Sequence, residues 1–246
     1  MLFKFALRNV MRNRRRSFLT ALAIFFAGII VGLAQGWING MVDISLKNII
    51  DFQTGHLRIT TQEFADRERF MPVEEIILEA DTIIKQLQTI PEIAKIEERI
   101  RFGILLGHKE VTVEAMGVGI NLQDNVYNIS EKLTTGKISN TGIYIGEGLA
   151  EQLGVKIGDK LLLATKTSEG GLNGIKLSIN GIVKLGIGMY DKKFFFVSLS
   201  DAKRLLKIYS GTTEIYIFSK ATKLTEKLSL AVKEKLPAGV IARTFQ

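Results

Sequence analysis

The sequence predicts a membrane-anchored α+β protein: one N-terminal transmembrane helix, then a ferredoxin-like layer with a β-rich subdomain inserted into it. Three observations lead there. Residues 18–38, FLTALAIFFAGIIVGLAQGWI, hold no charged side chain. A strand–helix–strand pattern with a proline after the helix occurs near residues 56–102 and returns near 214–245. The residues between the two copies alternate apolar and polar in short runs punctuated by glycine.

The apolar stretch comes first in the chain. As a helix its 21 residues rise roughly 32 Å, against a bilayer core of about 30 Å. Arg14, Arg15 and Arg16 precede it, and the first acidic residue of the chain is Asp43. By the positive-inside rule these arginines set the topology, with residues 1–17 cytoplasmic and the chain beyond 38 across the membrane. A cleaved signal peptide is the alternative. Against it, the run exceeds the usual h-region of about 7–15 residues, and Ala34-Gln35-Gly36 makes a poor cleavage site. Upstream, Phe3, Ala6, Leu7 and Val10 share one helical face and Lys4, Arg8 and Arg12 another, which fits an amphipathic basic leader in the headgroup layer. An unstructured basic leader is the bland reading. Within the span, Gly28, Gly32 and Gly36 form overlapping small-xxx-small steps that would let another helix pack closely. The competing reading is the general abundance of glycine in membrane helices.

Beyond Ile38, the spacing of Met41, Ile44, Ile49 and Ile50 carries the helix onward, to end before Gly55. His56–Thr60 alternates as a strand. Glu74–Gln88 reads as an amphipathic helix burying Ile76, Ala80, Ile83, Ile84 and Leu87. Pro91 stops it, and Ile93–Phe102 is the next strand. The second copy runs from the strand Glu214–Phe218 through a helix marked by Leu224, Leu228, Ala231 and Val232. Pro237 breaks that helix before the strand Val240–Phe245. Residues 39–103 and 192–246 are then the two halves of one layer, and 104–191 the insertion. Inside the insertion we expect a hairpin over Leu105–Met116 turning at His108-Lys109, and an irregular stretch over Leu122–Leu133. Gly142–Gly146 should lead into a small helix, Glu147–Leu153, ended by Gly154. A hairpin tip follows at residues 168–174, and Phe194–Val197 returns to the ferredoxin-like layer as a strand buried on both faces.

Composition narrows the function. Net charge is +8, yet six of the 33 basic residues lie in the first 16 positions, leaving 27 against 25 acidic residues elsewhere. The basicity therefore describes a juxtamembrane patch facing anionic lipid, not a nucleic-acid surface. Without cysteine there is no thiol chemistry and no disulfide. His56 and His108 sit in no metal-binding spacing. There is no G-x-S-x-G turn and no P-loop, so we expect no catalytic, cofactor-binding or metal-binding residues and no enzymatic activity. Gly117-Val118-Gly119 and Gly186-Ile187-Gly188 lack the third glycine of a dinucleotide site and read as turns or bulges. Glu74-Glu75 and Glu97-Glu98 read as solvated faces.

Four phrases carry a family resemblance: LRNVMRNRRRSFLTAL at 7–22, TGHLRIT at 54–60, GEGLAEQLGVKIGDKLLL at 146–163 and LSINGIVKLGIGMYDKKFFFVSL at 177–199. Together and in this order they resemble the permeases of the MacB/FtsX-like ABC transporter family, which includes the lipoprotein-releasing permeases. The resemblance implies a first membrane helix followed by an extracytoplasmic domain with a porter-type and a β-rich subdomain, in the bacterial cytoplasmic (inner) membrane. It also implies no cofactor of the chain's own, but several partners: membrane lipid, a separate cytoplasmic ATPase, a second permease copy or paralogue, and an envelope protein or lipoprotein cargo. The expected function is coupling of ATPase motion to export or release of lipoprotein, peptide or drug. The chain ends at Gln246, where the family enters its second membrane helix, so the N-terminal half of a permease is expected. Asn121-Leu122-Gln123 departs from a Gly-Ile-Asp-Pro-like phrase common in the family, which leaves the subfamily and cargo open. The second functional reading is a single-pass anchored module that binds an envelope partner without transport.

Overall fold

The structure, a computed structural model, describes residues 11–220 and 225–244. All but the last three residues of the leader expected over Met1–Asn13 lie outside this range, as do Leu224 and Phe245. The chain divides after Ile49 into two compact units.

The first unit holds α1 (Arg14–Ile49), a continuous helix of 36 residues that buries none of them. Its length and composition suffice to cross a membrane. As the periodicity requires, it continues past Ile38.

The second unit opens with a π-helical turn, Ile50–Thr54. Gly55, at φ +63°, closes it and donates its N–H to the Ile50 carbonyl at 2.8 Å. There follow β1 (Leu57–Thr61), α2 (Gln62–Asp66), a 3-10 turn (Glu68–Phe70), α3 (Ala80–Leu87), β2 (Ile93–His108), β3 (Val111–Ile120), β4 (Leu133–Gly136), β5 (Ile143–Gly146) and α4 (Glu147–Leu153). The remaining elements are β6 (Lys160–Lys166), β7 (Leu172–Val183), α5 (Gly188–Lys193), β8 (Phe194–Ser198), α6 (Leu199–Leu206), β9 (Glu214–Ser219), α7 (Thr225–Lys233) and β10 (Val240–Thr244).

Four strands pair in the order β10-β1-β9-β2, each antiparallel to its neighbour. That is the ferredoxin-like arrangement the two strand–helix–strand copies predict. Alternation sends Leu57, Ile59, Ile215 and Ile217 to the face covered by α3 and α7, where they join Ala80, Ile83, Leu87, Leu228 and Val232 in one core. Ala231 only borders this core and is half-buried. Helix α3 is shorter than its periodicity suggests. Ile77 instead forms an isolated bridge to Thr212, each backbone N–H donating to the other's carbonyl. Pairing between distant segments has overridden local helix preference there.

Strand β2 belongs to two assemblies. Its first half, Ile93–Arg99, pairs with β9, while Ile100–His108 pairs with β3. From there the path β2-β3-β8-β5-β7-β6 returns to β2 and closes a six-stranded barrel. Closure leaves no open edge among these strands. Phe102, Ile104, Leu106, Leu161, Leu163 and Phe195 point inward and form the barrel core. The hairpin joining β2 to β3 turns at Lys109-Glu110, one residue later than expected, with Lys109 at φ +52° and His108 paired with Val111.

Two expectations need correction. Phe194–Val197 does not return to the ferredoxin-like layer; β8 lies in the barrel, parallel to β3 and antiparallel to β5. Both its faces are buried as foreseen, Phe195 and Val197 inward, Phe194 and Phe196 against an outer aromatic cluster with Tyr127 and Tyr190. A uniformly apolar strand fits either layer, so its composition could not choose. The second correction concerns Gly117 and Gly119, which lie within β3 rather than in a turn or bulge. A Cβ on Gly117 would stand 2.4 Å from the Phe102 ring and 2.8 Å from that of Phe195, and one on Gly119 would stand 2.5 Å from Ala202 Cβ. These glycines let bulky neighbours approach the strand backbone. Gly186, at φ +82°, does occupy a bend.

Candidate functional site

The face of the ferredoxin-like sheet opposite its helices is charged and buried. In β2 the run Lys95-Ile96-Glu97-Glu98-Arg99-Ile100-Arg101 places Lys95, Glu97, Arg99 and Arg101 on one side. Arg58 on β1 and Glu214 and Tyr216 on β9 face the same way, and all seven of these charged or phenolic groups except Lys95 are buried. They sit where β2 leaves β9 for β3, at the junction of sheet and barrel.

Two linked clusters neutralise the charge. Glu214, fully buried, accepts from Arg101 Nε and Nη2 at 2.8 Å each, from Tyr216 Oη at 2.9 Å and from Arg58 Nη1 at 3.5 Å. Glu68, carried by the 3-10 turn, takes Arg58 Nη1 at 2.6 Å and Arg101 Nη2 at 3.5 Å. In the second cluster Arg99 donates from Nη2 to Glu97 at 2.8 Å and from Nη1 to Tyr127 Oη at 2.9 Å. Its guanidinium lies over the rings of Tyr216 and Tyr127, 4.2 and 4.4 Å from their centroids. Glu97 also accepts from the Val126 N–H at 2.6 Å. Glu97 is therefore no solvated face: burial is tolerable because every charge has a partner. Glu74 and Glu75, half-buried, pair with Arg67.

The protonation equilibria follow from this packing. Burial works against the charge on Arg101, but the Glu214 carboxylate outweighs it and holds the pKa well above its ordinary value. Burial likewise pushes Tyr216 up, so its hydroxyl remains a donor. Burial would favour neutral Glu68, yet Arg58, with help from Arg101, holds its carboxyl below the ordinary 4.5. A carboxyl depressed by folding contributes stability that is fully present above the unfolded value and lost as pH falls through the folded one. Glu68→Gln should therefore flatten the decline in stability below about pH 4.5, and urea melts at stepped pH measure this. An unchanged acid slope would contradict the pairing.

Beside the clusters lies a cavity of ≈ 470 Å³. Its apolar wall comprises Phe52, Tyr190 and Phe194 with Met71, Met116 and Met189. Phe52 stacks on Tyr190 with centroids 4.9 Å apart, and Tyr190 meets Phe194 edge-on at 4.8 Å. Arg101 and Glu68 join the lining, so the cavity touches the ion cluster directly. A concave, mostly apolar volume with a few convergent polar groups is suited to holding a small ligand. Among the described residues no group of three His, Cys, Asp or Glu could hold a metal.

The residues singled out from sequence lie elsewhere. Arg14, Arg15 and Arg16 form the exposed first turn of α1. Gly28, Gly32 and Gly36 share a face of that helix, and a Cβ on any of them would meet nothing within 4 Å. His56 is half-buried, accepts the Ser219 N–H at 3.3 Å and lies edge-on to Phe218, a structural position. Burial lowers its pKa. The signal that sequence reading passed over was charge alternating with isoleucine inside strands: Leu57-Arg58-Ile59, and Arg99-Ile100-Arg101 against Glu214-Ile215.

Solved structures share this architecture. The chain superposes on the periplasmic region of MacB from Actinobacillus actinomycetemcomitans with TM-score 0.54 and 14% identity, covering 81% of this chain and 93% of that one. With the extracellular domain of the noncanonic ABC-type transporter YknZ from Gram-positive bacteria the TM-score is 0.51 and the identity 9%, over 76% of this chain and 99% of that domain. No family model and no curated protein matches the sequence. The fold is thus that of the extracytoplasmic domains of MacB-type ABC transporters, preceded by one apolar helix.

Proposed function

We propose that the chain is the membrane subunit, or part of it, of an ATP-driven MacB-like transporter. In this reading α1 anchors it in the bacterial cytoplasmic membrane and residues 50–246 lie outside. The observation that carries the reading is the architecture: a spanning-length apolar helix, then a ferredoxin-like sheet with a β-barrel inserted, the fold of the MacB and YknZ outer domains. The role is mechanical rather than enzymatic. Strand β2 supports it, since one continuous backbone of 16 residues is shared by sheet and barrel and links the two covalently. A separate ATPase supplies the energy, and a second permease copy or paralogue completes the transporter. Lipoprotein, peptide or drug is the cargo class implied by the resemblance.

The absence of cysteine makes the topology directly measurable. Leu172, 90% exposed, is replaced by cysteine, and intact cells are treated with a membrane-impermeant maleimide. Labelling should approach that of lysed cells, and replacing Arg14, Arg15 and Arg16 together by Glu should reduce it several-fold. Labelling that appears only on lysis would overturn the orientation. For the transport reading, the full chain is captured from its native membranes and its companions are identified. A P-loop ATPase in near-stoichiometric yield is expected; its absence, with an envelope protein in its place, would favour the anchored interaction module.

A further inference from the structure

We propose that the cavity beside the Arg101–Glu214 pair binds a small uncharged amphipath, a medium-chain acyl amide or ester, through one hydrogen bond to its carbonyl. Arg101 lines the cavity and is 8% exposed. Its Nε and Nη2 are taken by Glu214 and Glu68, whereas Nη1 donates to no described residue. Among the described residues, Thr167 Oγ1 is the one sealed side-chain polar atom without a partner. Arg101 Nη1 is therefore not sealed, and Arg101 lines the cavity. A guanidinium N–H left over from the ion pairs, on a residue lining a cavity, is available to an acceptor placed there.

Charge decides which acceptor. Arg58 and Arg101 are already balanced by Glu68 and Glu214. A ligand carboxylate at Nη1 would bring a further negative charge against Glu68, which also lines the cavity. Glu114 and Lys193, also in the lining and both exposed, carry opposite charges and leave its net charge unchanged. A neutral carbonyl takes the hydrogen bond without that repulsion. The rest of the ligand is apolar, because three methionines and three aromatic rings form the wall, and unbranched thioethers adapt to an alkyl chain. The volume of ≈ 470 Å³ lies within the range of about 300–1,000 Å³ usual for small-molecule sites. The site rests on the cavity alone and is independent of the transport reading.

The test uses the full chain in lipid nanodiscs and N-propyl decanamide bearing a diazirine in its alkyl chain. After irradiation, peptides containing Met71, Met116 or Met189 should carry adducts. Unlabelled N-propyl decanamide should displace them at a concentration about tenfold below that needed of decanoate or decane, the worth of one buried hydrogen bond. Arg101 cannot be tested cleanly by substitution, because it holds Glu214; the competitor series reports on its Nη1 without disturbing the fold. Met189, 65% exposed at the mouth, is the second handle: Met189→Glu should cut cavity labelling about tenfold with an unchanged melt. Adducts confined to α1, equal displacement by all three competitors, decanoate as the strongest competitor, or undiminished labelling of Met189→Glu would each overturn the proposal.

Discussion

Glu214→Ala is expected to destabilise residues 50–246 by about 3–5 kcal/mol, the usual cost of stripping the partner from a buried ion pair. The carboxylate is fully buried and accepts from two of the three guanidinium nitrogens of Arg101, from Arg58 at longer range and from the Tyr216 hydroxyl. Removing it leaves Arg101 buried with Glu68 as its one remaining anion, 3.5 Å away. Glu214→Gln keeps the shape but not the charge, so it should recover only part of the loss. Adding Arg101→Met to Glu214→Ala should restore stability relative to the single variant, since it removes the stranded cation. Urea unfolding of the four proteins decides the matter. A Glu214→Ala loss below about 1 kcal/mol would mean that the pair is hydrated and does not bind sheet to barrel.

Phe195→Ala is expected to cost about 3–5 kcal/mol as well, through a cavity rather than a charge. Phe195 is fully buried in the barrel and meets Phe102 edge-to-face at 6.1 Å between centroids. Both rings lie over Gly117, where a Cβ would stand 2.4 Å from Phe102 and 2.8 Å from Phe195. Gly117→Ala alone should therefore cost about 1–3 kcal/mol by overpacking. Because the two substitutions act on one space from opposite sides, the double variant should be more stable than the sum of the single losses predicts. Strict additivity in thermal or urea melts would show that Gly117 is required for some reason other than ring clearance.

Much of the architecture was legible because its causes are local. The uncharged run at 18–38 requires a helix with no polar face wherever it resides. Gly154, at φ +64°, ends α4 where the sequence placed its stop, since glycine adopts the left-handed cap without a Cβ penalty. The duplicated strand–helix–proline–strand pattern led to the ferredoxin-like layer, and the family resemblance is borne out at the level of the fold. The candidate site was not legible in the same way. Glu97-Glu98 looks like a solvated pair in any window of the chain, and only one of its two members is buried.

The sequence by itself thus determined the apolar helix, the positions of most strands and the pairing of the two strand–helix–strand halves. Each follows from periodicity, glycine and proline acting within a few residues of one another. The tertiary structure alone decided that β2 serves two assemblies, that β8 joins the barrel, that Gly117 makes room for two phenyl rings, and that Arg58, Arg99 and Arg101 are buried. Strand exchange and ion pairing of that kind join residues more than a hundred positions apart, as between Arg101 and Glu214. Whether a charge is solvated or buried depends on what covers it. For Arg101 the answer lies in Glu68 and Glu214, residues that no local pattern brings to its side.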